Sequence, residues 1–347
     1  MKRVILIIAA FMLMNATHAT VRTLSNNANG GAQFSDINTC YAACSNGDTI
    51  LIEGTSTIYS WNSSITFAKQ LVFIGAGFKP AKQIPALSTI GGNVSSLGIP
   101  LNGGANGSKF YGIEFNGTGN VNLSGVNNIT FEDCKFVNQL NSSTTVTNLT
   151  CRNCVFTVTT RNVVFAANYT AAFYSCVFSG LVDGNFLATA GPVTIDHCIF
   201  LNSSGHFTGS VTNTIVQNCI FMNSFPANTI NTSFNNNICS VAGTFPHSGT
   251  GNSASGNIEN TNPNFVSYTN GQAYSSAHDY HLQAGSAAIG SGTGGSDMGV
   301  HGGGTFFSEK GEPLITPVVR VVNVTNPNAV PNGTINVQIN ATKPNDN

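Results

Sequence analysis

The chain has 347 residues, 41% of them apolar but only 8% charged, with 13 Lys+Arg against 14 Asp+Glu. So few basic residues exclude a nucleic-acid partner, because neutralising a phosphate backbone takes many Lys and Arg. They also leave little charge with which to capture an acidic polymer, so the surface must be built of Asn, Ser, Thr and Gly, which hydrogen-bond without ionising.

Residues 1–19 read as a secretory signal: Lys2 and Arg3, an apolar run over 4–14, then Thr17-His18-Ala19 as a small-residue cleavage site. The run is too short to persist as a spanning helix, and no later stretch is long and apolar enough to cross. The mature chain is therefore expected outside the cell, secreted or on the surface, or in a periplasm, without membrane insertion. Without Lys2 and Arg3, eleven basic residues face fourteen acidic ones. Residues 33–46 predict a short helix, capped by Ser35 or Asp36, with Phe34, Ile37, Tyr41 and Cys44 on one face and Gly47 ending it. Strands follow over 48–53, 70–77 and 89–93.

From there a repeat takes over. Cys134, Cys154, Cys176, Cys198, Cys219 and Cys239 recur at intervals of 20, 22, 22, 21 and 20 residues, and the first five are each followed two positions later by Phe136, Phe156, Phe178, Phe200 and Phe221. Such a period marks a stacked solenoid. Aligned windows (FYGIEF 110–115, FEDCKF 131–136, CRNCVF 151–156, FYSCVF 173–178, IDHCIF 195–200, VQNCIF 216–221) share three apolar positions, which alternation places on one face. About 21 residues cannot hold a strand, a packed helix and another strand, and a β-propeller blade needs about 40. Coils of short strands stacked at about 4.8 Å fit, with Cys and Phe piled inside. The residue before each cysteine (Asp133, Asn153, Ser175, His197, Asn218) suits a left-handed corner. A helix at 33–46 would plug the open end of the stack.

The cysteines read as small apolar fillers. Cys151-x-x-Cys154 lacks the second pair that a metal or redox motif needs; Cys40 and Cys44, one helical turn apart, could link or pack. Nine is odd, so one thiol at least stays outside any intrachain pair.

Charge is so sparse between 135 and 256 (Lys135, Arg152, Arg161, Asp183, Asp196) that two rows emerge. Two positions before the ladder lie Tyr111, Glu132, Arg152, Tyr174, Asp196 and Gln217, expected to point outward on successive coils as a sugar-binding strip; Arg152, Tyr174 and Asp196 are its candidates for catalysis. The bland alternative is an exposed strand face with a Glu132–Arg152 pair of little energetic weight. Beyond the phenylalanines, Arg161, Asp183 and His206 could share one side.

Toward the end, 262–299 holds strands broken by glycine turns, with Asp297 bracing the last. His278-Asp279-Tyr280-His281 has no third donor near in sequence, so no metal and no cofactor is expected. After 304, the stretches 314–324 and 334–341 alternate around a Pro331-Asn332-Gly333 turn, a hairpin-like tail.

The opening FSDINTCYAACSNGDTILIEG, the coil QLVFIGAG, the x-N-C-x-F repeats and the closing DYHLQAGSAAIG…SDMG resemble right-handed parallel β-helix proteins of the pectin-lyase-like superfamily, over about 21–304. The likeness is to secreted members of Bacteroidetes type. It implies an all-β chain: signal peptide 1–19, right-handed parallel β-helix solenoid 20–304 with an N-terminal capping helix, and a short C-terminal β tail 305–347. It also implies a polysaccharide or cell-surface glycan as partner. The superfamily spans lyases, hydrolases, esterases and adhesins, so fold does not fix activity. Where the polygalacturonase-like branch has Gly-His-Gly beside clustered aspartates, this chain has Ser204-Gly205-His206-Phe207, and no acidic cluster like that of calcium-dependent lyases stands out. The expectation is carbohydrate or surface binding by a polar strand face. The alternatives are a polysaccharide lyase or glycoside hydrolase working through Glu132, Arg152, Tyr174 and Asp196, and an adhesin-like shaft.

Overall fold

The computed structural model describes residues 19–28, 30–78, 88–92, 98–142, 144–158, 161–165, 169–179, 186–188, 192–201, 205–208, 211–315, 318–324 and 337–342. Residues 1–18 of the expected signal segment 1–19 lie outside them, as do Asp183 and the expected 331–333 turn.

Among the described residues, three main parallel sheets and a short fourth (Val211–Thr212, Thr229–Ile230 and Gly249–Thr250) wind into a right-handed β-helix, the hand favoured for parallel crossovers. The first sheet has eleven strands among the described residues, including Lys109–Tyr111, Thr130–Glu132, Val146–Arg152, Tyr169–Tyr174, Val193–Asp196 and Thr214–Gln217. The second has nine, from Tyr59–Trp61 through Lys135–Phe136, Val155–Phe156, Val177–Phe178 and Ile199–Phe200 to Ile238–Cys239. The third runs from Ile99–Asn102 to Phe207–Thr208.

The repeat produces this register directly. Phe131 pairs with Phe110 and Cys151, and Phe136 with Phe115 and Phe156. Phe136, Phe156, Phe178, Phe200 and Phe221 form one stack with neighbouring centroids 4.7–4.9 Å apart. Cys134, Cys154, Cys176, Cys198 and Cys219 are buried beside it, and all nine cysteines are free thiols. The turn from first to second sheet takes two residues, the first of them left-handed: Asp133, Asn153, Ser175, His197 and Asn218 have φ of 49–56°.

Cys239 does not belong to the cysteine column. It pairs with Phe221, because the coil after Cys219 is shorter and Ser233–Asn235 aligns with Ile215–Gln217. The cysteine position there is Asn237, fully buried, whose side-chain oxygen accepts from Cys219 N at 2.9 Å and whose amide donates to Asn257. Inward sulfur gives way to an inward amide ladder whose groups satisfy one another.

The N-terminal helix is Ile37–Ala43, capped by Asp36, which accepts from Thr39 N at 2.8 Å. It is shorter than 33–46 because Cys44 is already extended, and Lys69 Nζ donates to the carbonyls of Tyr41, Ala42 and Cys44 that further helix would have used. Tyr41 packs on Trp61 and Phe67, closing the core.

The C-terminal part is not a further coil. Phe265–Ser267 and Asp279–Leu282 pair antiparallel, and the chain then returns along the outside of the solenoid as a strap. Asn236 donates to Ser291 O, Thr293 N to the Asn218 side chain, Asn153 Nδ2 to Phe306 O, and Phe78 N to Lys310 O. The corner side chains thus serve as cleats. The strap covers a second core formed by the outward residues Val155, Val177, Ile199, Ile220 and Ile238 with Met298, Val300, Phe307, Phe265 and Tyr280. Beyond it, Val318–Val324 and Val337–Thr342 form an antiparallel pair.

Candidate functional site

Alternation along the first sheet buries Phe131, Cys151, Phe173, Ile195 and Val216 and turns their neighbours outward. Tyr111, Glu132, Arg152, Tyr174, Asp196 and Gln217 consequently pair rung by rung in one unbroken column. All six are half-buried. The Arg152 guanidinium lies over the Tyr174 ring, 4.9 Å from its centroid, and Arg152 Nε is 4.0 Å from Glu132 Oε2. Burial pushes the Glu132 carboxyl upward, with Arg152 pulling the other way, and burial together with the Glu132 charge raises Tyr111.

Asp196 is the most heavily tied group in the column. It meets His197 Nδ1 at 2.7 Å and accepts from Asn218 Nδ2 at 2.9 Å and Gln217 Nε2 at 3.1 Å. Burial favours its protonation, but the His197 and Asn218 contacts outweigh that and hold the carboxyl below the ordinary aspartate value. An acceptor-only carboxylate requires the proton on His197 Nδ1. His197 Nε2 then faces Ser296 Oγ at 3.2 Å on the strap, so Asp196, His197 and Ser296 form a hydrogen-bonded relay. Ser296 Oγ also donates to Thr293 O at 3.2 Å, so that carbonyl competes with His197 Nε2 for its one proton.

The second expected row does not form a face. His206 lies inside the solenoid, between Phe200 and Phe221, with Nε2 at 3.0 Å from Met222 O. Burial drives its pKa down to about 4. Arg161 is partly exposed, and Asp183 is outside the described residues.

Sequence reasoning missed a pocket of about 190 Å³ where the strap segment crosses the second sheet, lined by Phe78, Lys135, Thr157, Tyr274, Ser275 and Ser276. Lys135 Nζ is 3.5 Å from buried Glu114 Oε2, and the Tyr274 hydroxyl is buried without a hydrogen bond. Burial raises Tyr274 far above the ordinary tyrosine value, with the Glu309 and Glu114 charges adding to it. The adjacency of Glu114 and Lys135 in the repeat windows was a legible signal; Tyr274 arrives from outside the repeat.

Folding also gives His281 the partners its sequence neighbourhood lacks. One donor atom each of His281, His301 and Glu309 lies within 4.8 Å of the others. The two imidazoles stack at 3.6 Å, His301 Nε2 is 3.1 Å from Glu309 Oε1, and His281 Nδ1 is 2.7 Å from Asp279 Oδ1. Burial works against ionisation of Glu309, but the His301 contact prevails and holds it below the ordinary glutamate value. His278 turns elsewhere, to Tyr280 and Gln272.

No helix among the described residues is long and apolar enough to cross a membrane. No family model matches the sequence, and no curated protein matches it. Among solved structures the chain is similar to pectate lyase Pel9A, with a TM-score of 0.49 and 14% identity over 81% of this chain and 96% of that one. It is also similar to a pectin methylesterase from Aspergillus niger in deglycosylated form, with a TM-score of 0.37 and 12% identity over 75% of this chain and 93% of that one. At these identities and scores the likenesses concern shape and assign no activity.

Proposed function

We propose that the protein binds an extended polysaccharide or cell-surface glycan outside the cell, along the column from Tyr111 to Gln217. The carrying observation is the unbroken register of that column, with Arg152 stacked on Tyr174 and Asp196 kept ionised. Rungs repeat at about 4.8 Å, so a long chain laid across them meets a polar or aromatic group at each step. Aromatic faces and charge-assisted hydrogen bonds are the contacts hydroxyl-rich rings accept.

The same spacing argues against glycoside hydrolysis there. Glu132 and Asp196 are three rungs apart, about 14 Å, whereas paired catalytic carboxyls sit about 5–9.5 Å apart. Arg152, Tyr174 and Asp196 are accordingly read as binding groups. The test is a panel of plant, algal and host polysaccharides, scored for retention of the protein and for new chain ends. Retention without chain ends, weakened by Tyr111→Ala and Tyr174→Ala, is the expected result; release of chain ends refutes it.

A second reading is favoured by the Asp196–His197–Ser296 relay, whose 2.7 and 3.2 Å contacts suit acyl transfer: ester hydrolysis on an acylated glycan. Acid release from such a glycan, lost in Ser296→Ala, would favour it over binding alone.

A further inference from the structure

We propose that His281, His301 and Glu309 hold a divalent transition-metal ion of the zinc type, and that the ion clasps the strap. Two imidazoles and one carboxylate are a common donor set for zinc, and here their donor atoms converge within 4.8 Å. The three come from separate parts of the strap region: His281 from the strand Asp279–Leu282, His301 from the turn after Val300, and Glu309 from the stretch returning toward Phe78. Nothing in their sequence spacing predicts the meeting.

Three further features suit a metal better than an ordinary ion pair. Asp279 sits 2.7 Å from Nδ1 of His281, the carboxylate contact that orients a metal-ligating histidine and directs its other nitrogen to the ion. The two rings lie face to face at 3.6 Å, tilted by 18°. That stacking fixes the two rings against each other. Glu309 Oε1, finally, lies 3.1 Å from His301 Nε2 on partly buried side chains, close enough for a single ion to take both as ligands. Phe307, at 5.6 Å from His301 and edge-on to it, joins this corner to the second core. A bound ion would thereby fix hairpin, turn and returning stretch to one another. This inference does not depend on glycan binding.

The test uses the full mature chain, stripped with a chelator. It is titrated with Co²⁺, read by visible ligand-field bands, and with Zn²⁺, read by calorimetry and by thermal melting. One equivalent bound at micromolar concentration or below, with a raised melting temperature, is expected. His301→Ala and Glu309→Gln should each abolish the cobalt bands while the metal-free β-sheet circular dichroism persists. Asp279→Asn should weaken zinc about 10–100-fold. Absence of binding in the unaltered chain overturns the proposal, as does unchanged affinity in a folded Glu309→Gln or His301→Ala variant.

Discussion

Replacing Phe156 by Ala should be among the most damaging single changes in the solenoid. Its ring is fully buried and lies between Phe136 and Phe178, at 4.8 Å and within 8° of parallel on each side, with Phe173 at 6.3 Å edge-on. Removing a buried phenylalanine costs about 3–5 kcal/mol, and an aromatic pair contributes about 0.5–1.5 kcal/mol beyond its buried area. Two stacked partners place this site at the top of the range, about 5 kcal/mol. The cavity cannot close easily, because Val155 N and Thr157 N are bonded at 2.9 Å to Cys134 O and Phe136 O, which sets the rung spacing. Urea unfolding followed by circular dichroism measures the loss, with Phe156→Leu as a milder comparison that keeps a buried aliphatic side chain but loses both ring stacks, about 1–3 kcal/mol. In a stack held by nearest-neighbour contacts, the central coils should also become the first protease-sensitive region. A loss below about 2 kcal/mol for Phe156→Ala would refute the idea of a rigid aromatic column.

Val177→Asp tests the second core: a charge placed under the strap should cost at least about 3 kcal/mol and expose Lys310 to trypsin, whereas Thr150→Asp on the outer face of the first sheet should stay within about 0.5 kcal/mol. Equal effects would mean that the strap does not cover the second sheet. Acid sensitivity should trace in part to His206. Its folded value near 4 lies below the ordinary 6.5, so between these the unfolded chain binds the extra proton. Its contribution is therefore intact above pH 6.5, shrinks as pH falls toward 4 and is level below, about 3 kcal/mol in all. His206→Gln should flatten the stability–pH curve in that window; an unchanged slope would place the histidine in water.

The repeat made the solenoid legible because stacking obliges each coil to present the same side chain at the same place. That is why Phe136, Phe156 and Phe178, and Cys134, Cys154 and Cys176, could be read as columns and Tyr111 to Gln217 as their outward counterpart. Where the period slips, spacing misleads. Cys239 keeps the interval but not the position, and only the strand pairing with Phe221 reveals that Asn237 has replaced it. The second core was written in the sequence and overlooked: Val155, Val177, Ile199 and Ile220 fill the position between Cys and Phe, so that three consecutive residues are apolar, the mark of a strand covered on both faces. What the repeat cannot encode is where a non-repeating chain returns. The pocket at Lys135 and Tyr274, the Ser296 contact with His197, and the meeting of His281, His301 and Glu309 all depend on the path of the strap.

The glycan-binding role of the outer column is tested most directly by oxidative footprinting with and without a retained polysaccharide. Tyr111 and Tyr174 on the column and Tyr274 in the pocket serve as separate reporters. Protection of Tyr111 and Tyr174 with Tyr274 unchanged is the predicted pattern. Protection confined to Tyr274, or none at the column under saturating glycan, would contradict it.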